Sequence, residues 1–80
     1  MKCQLTYLPL ATDEVDEQVE EVIDFIDGYD LDYNVGELST LIEGSHKEVL
    51  ELVGDIYSTQ NDNGHQFRLH VELLSSNNYS

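Results

Sequence analysis

The sequence predicts an α+β fold: a four-stranded antiparallel sheet with two helices on one face, in the order strand, helix, strand, strand, helix, strand. Three observations carry that expectation. Cys3, Leu5 and Tyr7, and later Phe67, Leu69, Val71 and Leu73, are apolar at every second position, which is the period of a half-buried strand. Val15, Val19, Val22, Ile23 and Ile26 recur at the spacing of one helix face, as do Val49, Leu52, Val53 and Ile56. Between the two helical stretches lie two short strand-like runs, 31–35 and 37–44, with a turn at Gly36-Glu37.

The elements follow in order. Residues 2–10 alternate Cys3, Leu5 and Tyr7 against Gln4, Thr6 and Leu8, and Pro9 is expected to end the strand because it has no amide to give a ladder. Thr12 or Asp13 is the expected N-cap of the first helix, with Asp13, Glu14 and Asp16 in the first turn, where the helix dipole favours carboxylates. Gly28 is the expected left-handed residue closing it. Leu31, Tyr33 and Val35 form a strand whose flanking acids Asp30 and Asp32 would blunt a sheet edge. Ser45 and Glu48 have the spacing of a capping box before the second helix. Residues 58–64 read as a polar loop, and 66–74 as the last strand. This is the order of ferredoxin-like folds, in which the first and third strands are central and the second and fourth are edges. One domain over 1–74 is expected, with a disordered polar tail over 75–80.

Size and charge restrict the partners. A chain of 80 residues buries only about 60 to 65% of the surface its unfolded form exposes, so a second copy is an expected source of stability. The contact would use either the sheet face left open, carrying Gln4, Thr6, Leu8, Arg68 and His70, or the edge of the last strand. Seventeen acids against three Lys and Arg give a net charge of −14, which repels nucleic acid and anionic membranes. With no long apolar run and no signal-peptide pattern, membrane insertion is not expected and a cytoplasmic setting is. The single cysteine, Cys3, excludes an internal disulfide and a multi-cysteine metal site.

No catalytic signature is present: no nucleophile elbow, zincin motif, phosphate loop or dinucleotide fingerprint. His46, His65 and His70 have no metal-ligand spacing with one another or with Cys3, so neither a metal nor a catalytic residue is expected, and the chain reads as a non-enzyme needing no cofactor. The unusual feature is Ser39-Thr40 inside a strand-like run. Successive strand residues face opposite sides, so one hydroxyl must face the helices, where it bonds either the backbone or a ligand. Tyr7, Tyr29, Tyr33 and Tyr57 could wall a flat ring or simply pack the core.

Two segments, Cys3-Gln4-Leu5-Thr6-Tyr7-Leu8-Pro9-Leu10 and Glu37-Leu38-Ser39-Thr40-Leu41-Ile42-Glu43-Gly44 before a capped helix, give the chain a family likeness. It resembles the YkoF-like proteins that bind thiamine or hydroxymethylpyrimidine, over roughly residues 2–74. The resemblance implies a ferredoxin-like domain that binds the pyrimidine part of thiamine for uptake or salvage, without a reaction of its own. It places ligand contacts on Glu37, Leu38, Ser39 and Thr40, with Gln4, Thr6 and Tyr7 as the neighbouring strand's share. A carboxylate and hydroxyls complement an aminopyrimidine, and thiamine's positive thiazolium suits an acidic domain. The chain carries one copy where the family form with the hydroxyl-bearing strand has two in tandem. Leu8 replaces the family's Tyr before Pro, and Ala11 stands where glycine is common. The reading from a different class is an acidic structural or regulatory module that docks another protein and holds no small molecule.

Overall fold

The computed structural model describes residues 1–36 and 39–75. Six elements follow in the predicted order: β1 (Lys2–Leu10), α1 (Val15–Asp27), β2 (Asp32–Val35), β3 (Thr40–Glu43), α2 (His46–Asp62) and β4 (Gln66–Leu74). The four strands form one antiparallel sheet in the order β2-β3-β1-β4, so the fold is ferredoxin-like with β1 and β3 inside. Cys3, Leu5 and Tyr7 of β1 and Ile42 of β3 point to the covered face, where they meet Val22 and Ile26 of α1 and Val49, Leu52 and Ile56 of α2. Each of these is buried, and together they are the core.

Where β1 is paired decides the rest. Its first half, Lys2 to Leu5, lies between β3 and β4, whereas from Thr6 to Leu10 the described pairing is with β4 alone. Pro9 therefore does not end the strand, which runs on to Leu10. A proline is tolerated here because, among the described residues, β1 has one partner at this level and so behaves as an edge.

Several boundaries depart from expectation for local reasons. Glu14, not Thr12 or Asp13, is the N-cap of α1, and its side chain makes no capping bond; the Thr12 hydroxyl instead accepts from the Glu14 amide at 3.0 Å. Asp16 and Glu17 are the acids of the first turn. Gly28 closes α1 in right-handed geometry (φ −71°), and its amide reaches back to the Asp24 and Phe25 carbonyls. Ala11 is left-handed instead (φ 54°), at the bend after β1, the position where the resembled family commonly has glycine. A residue with a Cβ pays a steric cost there that glycine does not.

The second helix runs through residues 58–62, which read as loop in the sequence. Gln60 continues the buried stripe Val49, Leu52, Ile56 by one more turn, so the polar end of α2 is anchored. The Ser45 hydroxyl accepts from the Glu48 amide (3.2 Å) and donates to its carboxylate (2.9 Å), and Gly64 (φ 77°) ends the helix with His65 N–H bonded to Gln60 C=O. Gly44 follows β3 where the Leu31 side chain leaves no room for a Cβ. The acids Asp16, Glu17, Glu20, Glu21, Asp24 and Asp27 line the solvent side of α1. No helix among the described residues is long and apolar enough to cross a membrane. The expected disorder of the tail concerns residues that, from Ser76 on, lie outside those described.

Candidate functional site

The unequal lengths of β1 and β3 create the site. β3 begins at Thr40, opposite Leu5, so among the described residues none pairs with Thr6–Leu10 of β1 on the side away from β4. The space is a cavity of about 260 Å³. Leu5, Tyr7 and Pro9 form its floor, Val15, Val19, Val22 and Ile23 of α1 its roof, and Val35, Gly36, Ser39 and Thr40 of the hairpin its end. Its lining is mostly apolar and its size is just under the range usual for small-molecule pockets, which suits one flat ring better than a larger ligand.

The hydroxyl pair is divided as strand alternation requires. Thr40 lies on the covered face, only 8% exposed, and borders the cavity; no buried side-chain nitrogen or oxygen among the described residues lacks a hydrogen-bond partner. Ser39 precedes β3 in the hairpin turn, where its carbonyl accepts from the Gly36 amide at 2.8 Å, so the pair sits at the strand's start and not midway along it. On the open face the Ser39 hydroxyl accepts from Gln4 Nε2 at 3.0 Å. Gln4 and Ser39, with Asn34, Gly36 and Leu41, border a second, shallower hollow of about 310 Å³.

The expected site residues thus fall into two groups. Tyr7 and Thr40 line the covered cavity, Gln4 faces the open hollow, and Thr6 and Ser39 stand at the rim of the cavity. Gln4, Thr6 and Tyr7 do not make one wall, because Tyr7 faces the helices while Gln4 and Thr6 belong to the open face. Glu37 and Leu38, the expected carboxylate and its neighbour, lie outside the described residues.

Tyr7 also makes contacts that the sequence reading missed. Its ring borders the cavity and stacks on Phe67 (centroids 5.3 Å apart, planes 26°). Its hydroxyl donates to Gln60 Oε1 at 3.0 Å and lies 3.4 Å from Gln18 Oε1. Gln60 Nε2 in turn donates to Glu21 Oε1 (3.2 Å), which also accepts from Asn63 Nδ2 (3.1 Å). Burial, and then the Glu21 carboxylate, raise the Tyr7 phenol above its ordinary value. The signal was present: Gln18 precedes Val22 and Ile26 at intervals of four, and Gln60 follows Ile56 at the same interval, so each amide interrupts an apolar stripe.

The other described tyrosines bond carboxylates of the helices or pack against a ring. Tyr29, just past the end of α1, donates to the Asp55 carboxylate of α2, a bond that is the main cause of its phenol being pushed up to about 12. Tyr33 donates to Asp27 at 2.8 Å, which raises its phenol too, and Tyr57 meets Phe67 edge to face. Cys3 is buried, and desolvation raises its thiol. No group of three or more His, Cys, Asp or Glu among the described residues could hold a metal ion.

The sequence matches the family model of thiamine-binding proteins over residues 3–72. The chain belongs to that family. Membership supports a thiamine-related binding role and agrees with the YkoF-like resemblance of the two segments described above. Among curated proteins no sequence matches. Solved structures with the same fold include a Streptococcus pneumoniae protein (TM-score 0.76, 14% identity, 94% of this chain and 87% of that one). Another is a candidate thiamine biosynthesis/salvage protein from Thermotoga maritima (0.71, 19% identity, 92% and 85%). A third is a domain of unknown function from Bacillus cereus (0.73, 19% identity, 99% and 80%). At these identities the likeness is one of fold.

Proposed function

We propose that the chain binds thiamine, or the hydroxymethylpyrimidine part of it, in the cavity beneath α1, without turning it over. The observation that carries this reading is the mostly apolar cavity of about 260 Å³ beneath α1, with Thr40, a hydroxyl-bearing residue only 8% exposed, on its border. An aminopyrimidine has a flat face for Leu5, Tyr7 and Val19 and ring nitrogens that a hydroxyl can reach. Thr40 supplies that hydroxyl and Ser39, with Thr6, the rim. Glu37 and Leu38 are the further contacts that the family resemblance assigns, and Gln4 orients Ser39 through their hydrogen bond. The acidic surface draws the cationic thiazolium of thiamine towards the protein. The role is uptake or salvage in the cytoplasm, with no cofactor and no metal, and the working form is a homo-oligomer because one small core is marginal alone.

Calorimetric titration with thiamine and with hydroxymethylpyrimidine tests this. The wild type is expected to bind at least one of them, and Thr40→Val to weaken that binding about tenfold, the worth of one hydrogen bond of about 1 to 1.5 kcal/mol to a buried ligand. If neither compound binds at about millimolar concentration, where a free energy near −4 kcal/mol would still show, the acidic interaction module becomes the better reading.

A further inference from the structure

Among the described residues, no lysine, arginine or histidine lines the cavity beneath α1. In sequence, the stretch between Gly36 and Ser39 adds only Glu37 and Leu38. The three basic residues of the chain stand elsewhere. Lys2 pairs with Glu43 at the far end of β1, Lys47 is in the first turn of α2, and Arg68 is on β4, with β1 between it and the cavity.

Beside the cavity, one flank of the roof helix is acidic. Ile23 lines the cavity, and Asp16, Glu20 and Asp27 precede or follow it at helical spacing, so the four share one side of α1. Tyr33 of β2 donates to Asp27 at 2.8 Å, which turns this side towards β2 and the end of the cavity that Val35 and Gly36 form. The other flank meets α2, where Gln60 and Asn63 bond Glu21. Asp16, Glu20 and Asp27 are all exposed. A helix N-terminus ordinarily favours an anion, and the first turn of α1 borders the cavity through Val15. Here Asp16 and Glu17 already occupy that turn, and their carboxylates answer its partial positive charge.

We infer that the cavity takes the unphosphorylated ligand and rejects its phosphate ester, and that the flank of Asp16, Glu20 and Asp27 makes the distinction. Thiamine and hydroxymethylpyrimidine each carry a free alcohol. Esterified with phosphate, that alcohol bears about 1.5 to 2 negative charges at pH 7. With no cation lining the cavity, such a group either presses against apolar walls, at a desolvation cost, or lies outside them beside carboxylates that repel it. The acids need not touch the ligand, because in physiological salt a carboxylate is still felt at about 8 Å. The protein accordingly holds its ligand before a phosphoryl group is added to it, or after one has been removed. This selection presupposes that the cavity is the ligand's site.

Calorimetric titration with thiamine, hydroxymethylpyrimidine and the monophosphate ester of each, at about 0.15 M salt, tests the selection. Within each pair the ring is the same, so the ratio of affinities isolates the phosphate. The ester is expected to bind about tenfold more weakly than its alcohol, or worse. The double variant D16N/E20Q should narrow that ratio about threefold or more, with the circular dichroism unchanged. E43Q/E72Q removes the same charge from the open face of the sheet, where Glu43 pairs with Lys2 and Glu72 with Gln4, and should leave the ratio as it was. An ester that binds as well as its alcohol, a ratio unmoved by D16N/E20Q, or one moved equally by E43Q/E72Q overturns the selection while the cavity keeps its ligand. If neither alcohol binds, the cavity is not the ligand's site and the selection falls with it.

Discussion

The two halves of β1 are made of similar residues and do different things. From Lys2 to Leu5 the strand has a neighbour on each side, and the side chains above it, Ile26, Ile42, Val49 and Leu52, are fully buried. From Thr6 to Leu10 the described pairing is with β4 alone, a cavity lies on the other side, and three of the residues around it, Val15, Val35 and Leu8, are 43 to 45% exposed. The difference comes from strand length, nine residues against four, and not from composition. The closed half supplies stability and the open half supplies room. In a domain this small, room for a cavity is had by leaving one strand short.

Substitutions that treat the halves alike should show how far that division holds. Ile42→Ala, in the closed half, is expected to destabilise the fold by about 2 to 5 kcal/mol in urea unfolding, because the site cannot collapse. Val19→Ala, over the cavity, should cost about 1 kcal/mol or less, since its neighbour is already a void. Equal losses would erase the distinction. Tyr7→Phe removes the hydroxyl that ties β1 to α2 and leaves the Gln60 side-chain carbonyl without that donor, at a cost of about 1 to 3 kcal/mol. A smaller effect is expected for Thr40→Val on the fold itself: within about 0.5 kcal/mol of wild type, even as ligand binding falls. Stability lost together with binding would make Thr40 a packing residue.

A pH dependence follows from the tie between the helices. The Tyr29 phenol is pushed from 10 to about 12 by its bond to Asp55. The folded state therefore holds that proton more tightly than the unfolded chain does. The stabilisation is complete below pH 10 and is lost as pH rises from 10 through about 12. Tyr29→Phe should flatten this alkaline limb of a denaturation series, and tyrosinate absorbance should show the same delayed titration; an unaltered limb would remove Tyr29 as its cause.

Much of the fold was legible because it depends on local periods. Alternation of Cys3, Leu5 and Tyr7 and the stripes of α1 and α2 fix the elements, and their order leaves few topologies. What escaped was set by contacts distant in sequence. The end of α2 depends on Gln60 meeting Tyr7, 53 positions away. Which hydroxyl turns inward depends on Thr40 standing opposite Leu5, a register that no period within residues 37–44 reveals. The cavity depends on where β3 starts relative to β1, and no stretch of sequence contains both. Ala11 shows the opposite case: the bend is local, but its residue type conceals the left-handed backbone that a glycine would have announced.

The acids along α1 have a consequence for the solution around the protein. Asp16, Glu17, Glu20, Glu21 and Asp24 repeat like charge at intervals of three and four, each such pair costing about 0.2 to 0.5 kcal/mol in dilute buffer. Dissolved cations gather over such a helix and shield it, and the Debye length shrinks to about 3 Å at 1 M. Potassium or sodium chloride should therefore raise the melting temperature of this chain steadily, so that the bathing electrolyte supplies what three basic side chains cannot.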